Sequence, residues 1–373
     1  MKLLYWLDLW WREVGGPIAS VTGLAEAMAA RGHRVAIATA DPRDAPEAWR
    51  RGGDGVSLAI LPRGPWHSIA FGARRKMADL VRDADAIHFS GLWEPSTVQL
   101  AAAARRSAVP YLVSLRGTLD DWAMSQSGVR KRLWMLGPGR ALLGGAARVH
   151  CTSLGETRQA ARWLRGRPPV VLPNLLDLEG TGRIQRREAA SFEVLLMGRL
   201  HPTKGADVLL DAVSRLAPPE RPLVRLAGAG AEDYVAHLRR ETDRLGLSER
   251  VVFEGHIGEA RRLELLGRCW AMVLPSLQEN FGNAIFEAIS AGLPVVTTDR
   301  VDTAAELERS GGAMIVPRDP QRIADALRTL AHDAALRDRM SEAGRAWAKR
   351  ELDPTRTAAA YESLYRSLAE ATR

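Results

Sequence analysis

Two cations and two glycines lie in a loop between a predicted strand and a predicted helix. Residues 198–205 (GRLHPTKG) place Arg199 and Lys204 in this loop. In open parallel sheets, ligands bind beyond the carboxyl ends of the strands. The free N–H groups of a helix amino terminus also favour an anion. The loop is therefore typical of a diphosphate site, although the same residues in isolation would equally fit a surface loop with solvated cations.

A second loop carries carboxylates instead of cations. Residues 276–283 (SLQENFGN) follow a predicted strand and open a predicted helix, so Glu279 lies before the helix and Glu287 about one turn inside it. A carboxylate accepts paired hydrogen bonds from neighbouring hydroxyls. Two spaced carboxylates therefore suit a ligand with two sugar rings, and the free amides of 281–283 can donate to phosphate or sugar oxygens. The alternative for an isolated pair is helix capping beside a solvated glutamate.

Short apolar runs alternate with helical patterns along most of the chain, which predicts βαβ units and parallel sheets. The pattern breaks near residues 175–190, a glycine-rich and then charged stretch, so two doubly wound α/β domains are expected. The predicted strands are 3–7, 35–39, 56–60, 86–89 and 111–115, then 192–197, 223–227, 251–253, 271–274, 295–298 and 313–316; the main helices are 17–30, 69–81, 96–105, 206–216 and 232–245.

Composition excludes several classes of protein. The chain has 373 residues, of which 46% are apolar and 26% charged, and this excludes wholesale disorder. No stretch is apolar enough for a membrane-spanning helix, and residues 1–8 hold too short an apolar run for a signal peptide, so a cytoplasmic protein is expected. The two cysteines, Cys151 and Cys269, match no metal or disulfide pattern. The net charge of +8 favours anionic partners.

Three further features predict ordinary structure. Residues 83–85 (DAD) match a metal motif but precede a strand, whereas a metal site would follow one. Residues 228–233 (GAGAED) lack the third glycine of a dinucleotide fingerprint and predict a strand-to-helix turn. The eight histidines show no ligand spacing, so no metal is expected.

The motif GRLxPxKG, followed by ENFG and a second glutamate, resembles the retaining glycosyltransferases of family 4. The resemblance implies the GT-B fold, with two Rossmann-like, doubly wound parallel-sheet domains that face a central cleft. It implies an acceptor-binding domain over 1–177, a linker over 178–190 and a nucleotide-sugar-binding domain over 191–353. Residues 354–373 would form a helix that packs back towards the N-terminal domain.

The resemblance also implies roles for residues. Arg199 and Lys204 would hold the donor diphosphate, Glu287 the ribose and Glu279 the donor sugar, and the backbone near Ile257 would lie against the base. Glu279, Arg199 and Lys204 are thus the expected catalytic residues. The remaining expected donor-binding residues are Gly15, Gly16, Asn280, Phe281, Gly282 and Asn283.

Motifs in the N-terminal half resemble those of one subgroup of the family. Residues 87–95 and 114–123 are similar to enzymes that build bacterial surface polysaccharides, and they place Trp93 and Arg116 in the acceptor site or cleft. Many family members have a histidine where Arg116 stands. Residues 174–177 read NLLD where the family commonly has NGVD.

The expected reaction moves a sugar, with retention, from a UDP- or GDP-linked donor to a glycan or polyprenyl-diphosphate-linked acceptor. The donor phosphate would take the acceptor proton, so no general base is expected. No metal is expected because the sequence shows no ligand spacing, and no cofactor is expected. A nucleotide-sugar epimerase of the same architecture is the alternative within enzymes. A nucleic-acid-binding protein is less consistent with arginines scattered among alternating charges.

Residues 126–150 mix basic and apolar side chains, including Arg130, Lys131, Arg132 and Arg140. Basic residues beside Trp and Leu are typical of a helix on anionic lipid. The segment therefore favours attachment to anionic lipid, and the family resemblance implies that this would be peripheral attachment at the inner face of the cell membrane. The alternative is a core-facing helix with a solvated basic face.

Overall fold

The protein is described by a computed structural model that covers residues 1–11 and 15–371. Residues 372 and 373 of the predicted C-terminal helix lie outside the described ranges. The chain divides into two compact units, one formed by Met1–Leu175 with Pro354–Arg373 and the other by Leu176–Asp353.

The first unit contains a seven-stranded parallel sheet in the order β3-β2-β1-β4-β5-β6-β7. Its central strands are buried on both faces because helices cover both sides. The strands are β1 (Lys2–Trp6), β2 (Arg34–Thr39), β3 (Val56–Ile60), β4 (Ala86–Ser90), β5 (Tyr111–Ser114), β6 (Arg148–Cys151) and β7 (Val170–Val171). The helices are α1 (Gly16–Ala30), α2 (Glu47–Arg50), α3 (Arg74–Asp83), α4 (Pro95–Arg106), α5 (Asp121–Ser125), α6 (Gly128–Leu136), α7 (Pro138–Gly144) and α8 (Leu154–Leu164).

The second unit contains a six-stranded parallel sheet in the order β10-β9-β8-β11-β12-β13. Its strands are β8 (Glu193–Met197), β9 (Leu223–Ala227), β10 (Val251–Gly255), β11 (Ala271–Leu274), β12 (Val295–Thr298) and β13 (Ala313–Val316). Its helices are α9 (Glu179–Gly182), α10 (Ala206–Ser214), α11 (Glu232–Arg244), α12 (Glu259–Arg268), α13 (Asn283–Ser290), α14 (Ala304–Ser310), α15 (Pro320–His332) and α16 (Ala334–Glu351). The prediction of two doubly wound parallel-sheet domains is confirmed.

The C-terminal helix α17 (Pro354–Glu370) belongs to the first unit, although it follows the second unit in the chain. Its apolar stripe is buried there, and Tyr361, Glu362 and Tyr365 make polar contacts within that unit. The Tyr5 hydroxyl of β1 donates to the Tyr365 hydroxyl at 2.9 Å, and the Tyr361 hydroxyl lies 3.1 Å from Nε2 of His150. Helix α17 therefore completes one face of the first sheet.

The residues predicted as a linker, 178–190, pack within the second unit instead. Leu178 is buried in its core, and the Thr181 hydroxyl bonds to that of Ser290 at 3.2 Å. The backbone of Arg187 and Ala189 donates to the chain at the end of α12. The glycines and charges that resemble a linker thus form a short helix and an edge segment, and the units divide after residue 175.

Candidate functional site

The order of the second sheet reverses between β8 and β11, which are neighbours in the sheet although β9 and β10 lie between them along the chain. Ligands of doubly wound sheets bind beyond the carboxyl ends of the strands at this kind of switch point. The loop after β8 carries Arg199 and Lys204, and the loop after β11 carries Glu279. The sequence pattern thus brings the two predicted loops to one edge of one sheet.

Direct contacts join these two loops. The Lys204 ammonium forms an ion pair with the Glu279 carboxylate, and both side chains are mostly buried. The Leu277 amide donates to the Thr203 carbonyl at 2.8 Å. Gly205, with φ of 73°, lies so close to Pro275 that a Cβ there would be 3.0 Å from its carbonyl carbon. The cation and the carboxylate are therefore held side by side before any ligand binds.

Helix α13 starts at this edge, immediately after the Glu279 loop. Gly282 precedes it with φ of 79°, a left-handed conformation that glycine adopts without strain. Phe281 is buried against Phe286, with ring centroids 4.7 Å apart, while Asn280 and Asn283 are half-buried. Phe281 thus anchors the turn, and the amino end of α13 lies at this edge of the sheet.

Glu287 lies in the first turns of α13 and bonds to Arg262 of α12, with 2.5 Å between Nη1 and Oε2. Burial raises the pKa of the Glu287 carboxyl, and Arg262 opposes that rise. The arginine keeps this buried carboxylate paired, and the carboxylate can still accept hydrogen bonds from hydroxyl groups.

A cavity of about 390 Å³ opens at the carboxyl ends of β8, β9 and β10. Its walls include Leu200, Phe253, Gly255 and His256. Ile257 follows directly, and its half-buried side chain packs on the core of the second unit. Two of the lining residues, Gly255 and His256, thus belong to the stretch that the family resemblance assigns to the nucleotide base, whereas Ile257 itself does not line the cavity.

Gly228 and Gly230 were predicted as an ordinary turn, yet they position the Arg199 loop. A Cβ at Gly228 would be 2.7 Å from the carbonyl carbon of Gly198, and one at Gly230 would be 2.8 Å from the Cβ of Leu200. The amides of Gly198 and Leu200 also donate across this contact, at 2.9 and 2.7 Å. The one available signal was the G-x-G spacing directly after a strand.

The predicted residues of the first unit lie at the carboxyl edge of its own sheet. Gly15 and Gly16 stand at the amino end of α1, and Trp93 follows β4 with the Lys131 ammonium 5.2 Å from its ring centroid. Arg116 follows β5 with φ of 51° and donates from Nη1 to Oδ1 of Asn174 at 2.9 Å.

Two histidines of the first unit, not predicted to have a role, lie in a buried polar chain. His88 contacts the Tyr365 hydroxyl through Nδ1 at 2.8 Å and the Ser114 hydroxyl through Nε2 at 2.5 Å. The Ser114 hydroxyl lies 2.6 Å from Nδ1 of His150. Burial lowers the pKa of His150 to about 3 and that of His88 well below its usual range. Both rings are therefore neutral near pH 7.

The DAD motif stands at the amino edge of the first sheet, where Asp83 pairs with Lys2 and Asp85 accepts from the Lys2 amide at 2.8 Å. Across residues 1–11 and 15–371, no group of three or more His, Cys, Asp or Glu side chains is arranged to hold a metal ion.

Two family models match the chain in succession. The Glycosyl transferase 4-like domain matches residues 15–174, and Glycosyl transferases group 1 matches residues 183–347. The chain is a family 4-like glycosyltransferase of the GT-B fold.

Curated relatives resemble the glycosyltransferase over most of its length. A D-inositol 3-phosphate glycosyltransferase of Acidothermus cellulolyticus is 27% identical, with 84% of this chain and 78% of the relative covered. A phosphatidyl-myo-inositol mannosyltransferase of Mycobacterium tuberculosis is 28% identical, with 90% and 89% covered. Among solved structures, Anabaena HepE in complex with UDP and glucose superposes with a TM-score of 0.81 at 20% identity, covering 99% of this chain and 100% of that one.

Helix α6 of the glycosyltransferase lies in the basic segment 126–150, for which the sequence left a lipid-facing and a core-facing helix open. The helix has features of both. Val129, Leu133 and Leu136 share one helix face and are 74%, 62% and 69% exposed. On the opposite face, Met135 is buried and Lys131 donates to the Ala123 carbonyl. Lys131 is thus an internal contact, whereas Arg130, Arg132 and Arg140 are exposed. In the described part of the chain, no helix has both the length and the apolar composition needed to cross a membrane.

Proposed function

We propose that this glycosyltransferase moves a sugar from a nucleoside diphosphate sugar to an acceptor hydroxyl, with retention at the anomeric carbon. The observation that carries the proposal is the switch point of the second sheet. There, Lys204, Arg199 and the amino end of α13 supply positive charge beside the carboxylates of Glu279 and Glu287. Cations suit a diphosphate, and carboxylates suit sugar hydroxyls.

The diphosphate is the leaving group, and its charge grows as the anomeric C–O bond breaks. Arg199, Lys204 and the amides of α13 stabilise that charge, which is the largest contribution that such sites make to rate. The ion pair with Glu279 holds Lys204 in place in advance, so little reorganisation is needed when the donor binds. Protein cations perform this role without a metal ion.

The acceptor oxygen forms the new bond on the face from which the diphosphate departs. Its proton passes to a phosphate oxygen of the leaving diphosphate, so no protein base takes part. Glu279 accepts hydrogen bonds from the donor sugar and orients it for this attack.

The nucleoside occupies the cavity beyond β8, β9 and β10, and Glu287 accepts from the ribose hydroxyls. We propose a uridine or guanosine diphosphate donor, and the structural likeness to a protein solved with UDP makes UDP the first to test.

The acceptor is a glycan or a sugar carried on a polyprenyl diphosphate, in the synthesis of a bacterial surface polysaccharide. A lipid-carried acceptor is consistent with a relative named for a phosphatidylinositol substrate. The exposed apolar face of α6, with Arg130 and Arg132 beside it, supports attachment to an anionic membrane at the cytoplasmic side. The epimerase and nucleic-acid alternatives gain no support from the family matches.

Calorimetric titration of the full chain with UDP, GDP and ADP tests the proposal. One of the three diphosphates should bind. Lys204→Ala should weaken its binding by about tenfold or more, because a charge-assisted hydrogen bond contributes about 1.5–3 kcal/mol. Lys349→Ala, at an exposed lysine of α16, is the control and should leave the affinity unchanged. A chelator should also leave it unchanged. Equal affinities in the wild type and Lys204→Ala would place the donor site elsewhere.

A further inference from the structure

The loop after β12, residues 299–303, packs against the loop that carries Glu279, and the proposed function assigns it no part. We propose that Thr303 in this loop is a positioning residue of the donor site: its hydroxyl fixes the turn 279–282, which leads into α13, and so places the amides that bind the diphosphate. The inference rests on the proposed function and names a residue that acts through the turn and not on the donor itself.

Main-chain bonds hold the first residue of the turn. The Asp302 amide donates to the Glu279 carbonyl at 2.8 Å, and the Glu279 amide donates to the Arg300 carbonyl at 3.4 Å. Glu279 and Val301 thereby form a parallel bridge beyond the paired part of β11 and β12. The start of the turn is therefore fixed by the backbone of the loop after β12.

A side chain holds the other end of the turn. The Thr303 hydroxyl donates to the Phe281 carbonyl at 3.0 Å. Thr303 is 0% exposed and Phe281 is 5% exposed, so little water reaches this bond. A buried carbonyl that loses its donor costs free energy. The hydroxyl therefore keeps the Phe281 carbonyl directed at the loop after β12.

Thr303 also stands at the N-cap position of α14. A threonine there ordinarily accepts a hydrogen bond from an amide of the first helical turn. Within the described ranges, no such bond reaches the Thr303 side chain, and its hydroxyl donates to Phe281 instead. The hydroxyl therefore serves the turn 279–282 and not its own helix.

The peptide group between Phe281 and Gly282 sets the direction in which the chain enters α13. Gly282 has φ of 79°, and the helix begins at Asn283. The Phe281 ring packs on Phe286, but that contact does not fix the orientation of the carbonyl. Without the Thr303 hydroxyl this peptide group can rotate, and the first amides of α13 shift with it. Misplacement by about 1 Å costs on the order of 100-fold in reaction rate.

Calorimetric titration of the full chain with UDP, GDP and ADP tests the proposal in Thr303→Val, which removes the hydroxyl and nearly keeps the size of the side chain. For each diphosphate that the wild type binds, the affinity of the variant should fall by about threefold or more, because a displaced α13 amide no longer donates to a phosphate oxygen. Thr303→Ser retains the hydroxyl and should bind as the wild type does. Unchanged affinity in Thr303→Val, or a serine variant as weak as the valine variant, would overturn the proposal.

Thr297→Val is the matched control. Thr297 lies within β12, is 1% exposed, and donates from its hydroxyl to the Leu274 carbonyl at 2.9 Å. Each valine variant thus removes one buried hydrogen bond to a main-chain carbonyl, but the bond of Thr297 ends on β11 and not on the turn. Both variants should lower the melting temperature to a similar extent, whereas Thr297→Val should bind the diphosphate as the wild type does. Equal losses of affinity in the two variants would show a general effect of destabilisation and would overturn the proposal.

Thr303→Cys gives the same test by a milder change if the valine variant does not fold. A thiol is a weaker hydrogen-bond donor than a hydroxyl. The cysteine variant should therefore bind the diphosphate more weakly than Thr303→Ser. Equal affinities of the cysteine and serine variants would overturn the proposal.

Binding by the wild type separates this inference from the proposed function. If the wild type binds one of the three diphosphates and Thr303→Val binds it equally well, the role of Thr303 is refuted while the donor site stands. If the wild type binds none of them, the proposed function is refuted and the role of Thr303 falls with it.

Discussion

A methyl group added at Gly228 should disable the donor site by displacing the loop that carries Arg199. The new Cβ would stand 2.7 Å from the carbonyl carbon of Gly198, whereas packed carbon atoms lie about 3.5–4.0 Å apart. The obstacle is backbone and not a flexible side chain, so the loop that carries Arg199 must withdraw by about 1 Å.

The expected loss follows from that displacement. A misplacement of about 1 Å costs reaction rates on the order of 100-fold. For binding, a displaced Arg199 loses a charge-assisted hydrogen bond to the diphosphate, so the affinity for UDP should fall by about tenfold or more. Overpacking should also lower the free energy of unfolding by about 1–3 kcal/mol.

Calorimetric titration with UDP, together with thermal unfolding, measures both effects in Gly228→Ala. The matched control is Gly246→Ala in the same unit, because Gly246 has φ of 64° and no atom within 4 Å of an added Cβ. The control should lose some stability through backbone strain but bind UDP normally. A folded Gly228→Ala protein with wild-type affinity would refute the role of this contact in placing Arg199.

Other sites give independent tests. Glu287→Gln should weaken UDP binding about tenfold, because it removes a charged hydrogen-bond acceptor for the ribose. The control, Glu249→Gln at an exposed turn, should leave UDP binding unchanged. Equal losses of UDP affinity in the two variants would remove Glu287 from this role. Acid unfolding should set in as the pH falls from 6.5 towards about 3, because burial lowers the pKa of His150 to about 3 and the unfolded chain takes up the proton first. His150→Asn should lessen that slope, and an unchanged slope would contradict it. Replacing Leu133 and Leu136 with Ser should abolish sedimentation with anionic vesicles at low salt; undiminished sedimentation would show that α6 is not the attachment face.

The sequence could predict the meeting of Lys204 and Glu279, because both follow strands and such loops share one edge at a switch point. It could not predict the role of Gly228, because Gly228 packs against a backbone carbonyl and no side-chain type in the sequence indicates such a contact. The composition of 178–190 was misleading for a related reason. Leu178 and Thr181 find their partners in distant helices and strands that local pattern does not reveal.

In the basic segment 126–150, helical periodicity indicates which side chains face outwards, whereas composition alone does not. Its mixture of cations and leucines predicted a lipid-facing helix without saying which side chains face outwards. Helical spacing separates Leu133 from Lys131, and the structure places the leucine outside and the lysine against the chain. Arg116 was noticed in the sequence because it departs from the family pattern, but its buried Nε required the fold to be seen.

The return of α17 to the first unit has a consequence for how the chain folds during synthesis. Tyr5 and its partner Tyr365 are 360 positions apart, with the whole second unit between them. At about 5–20 residues per second, a ribosome needs roughly 10–40 s to travel from residue 175 to Tyr365. Throughout that interval the first sheet lacks helix α17 on one of its faces, and the Tyr5 hydroxyl lacks its hydrogen-bond partner. The second unit is continuous in sequence and can close its own core first, so the half of the protein that is made first is the half that finishes folding last.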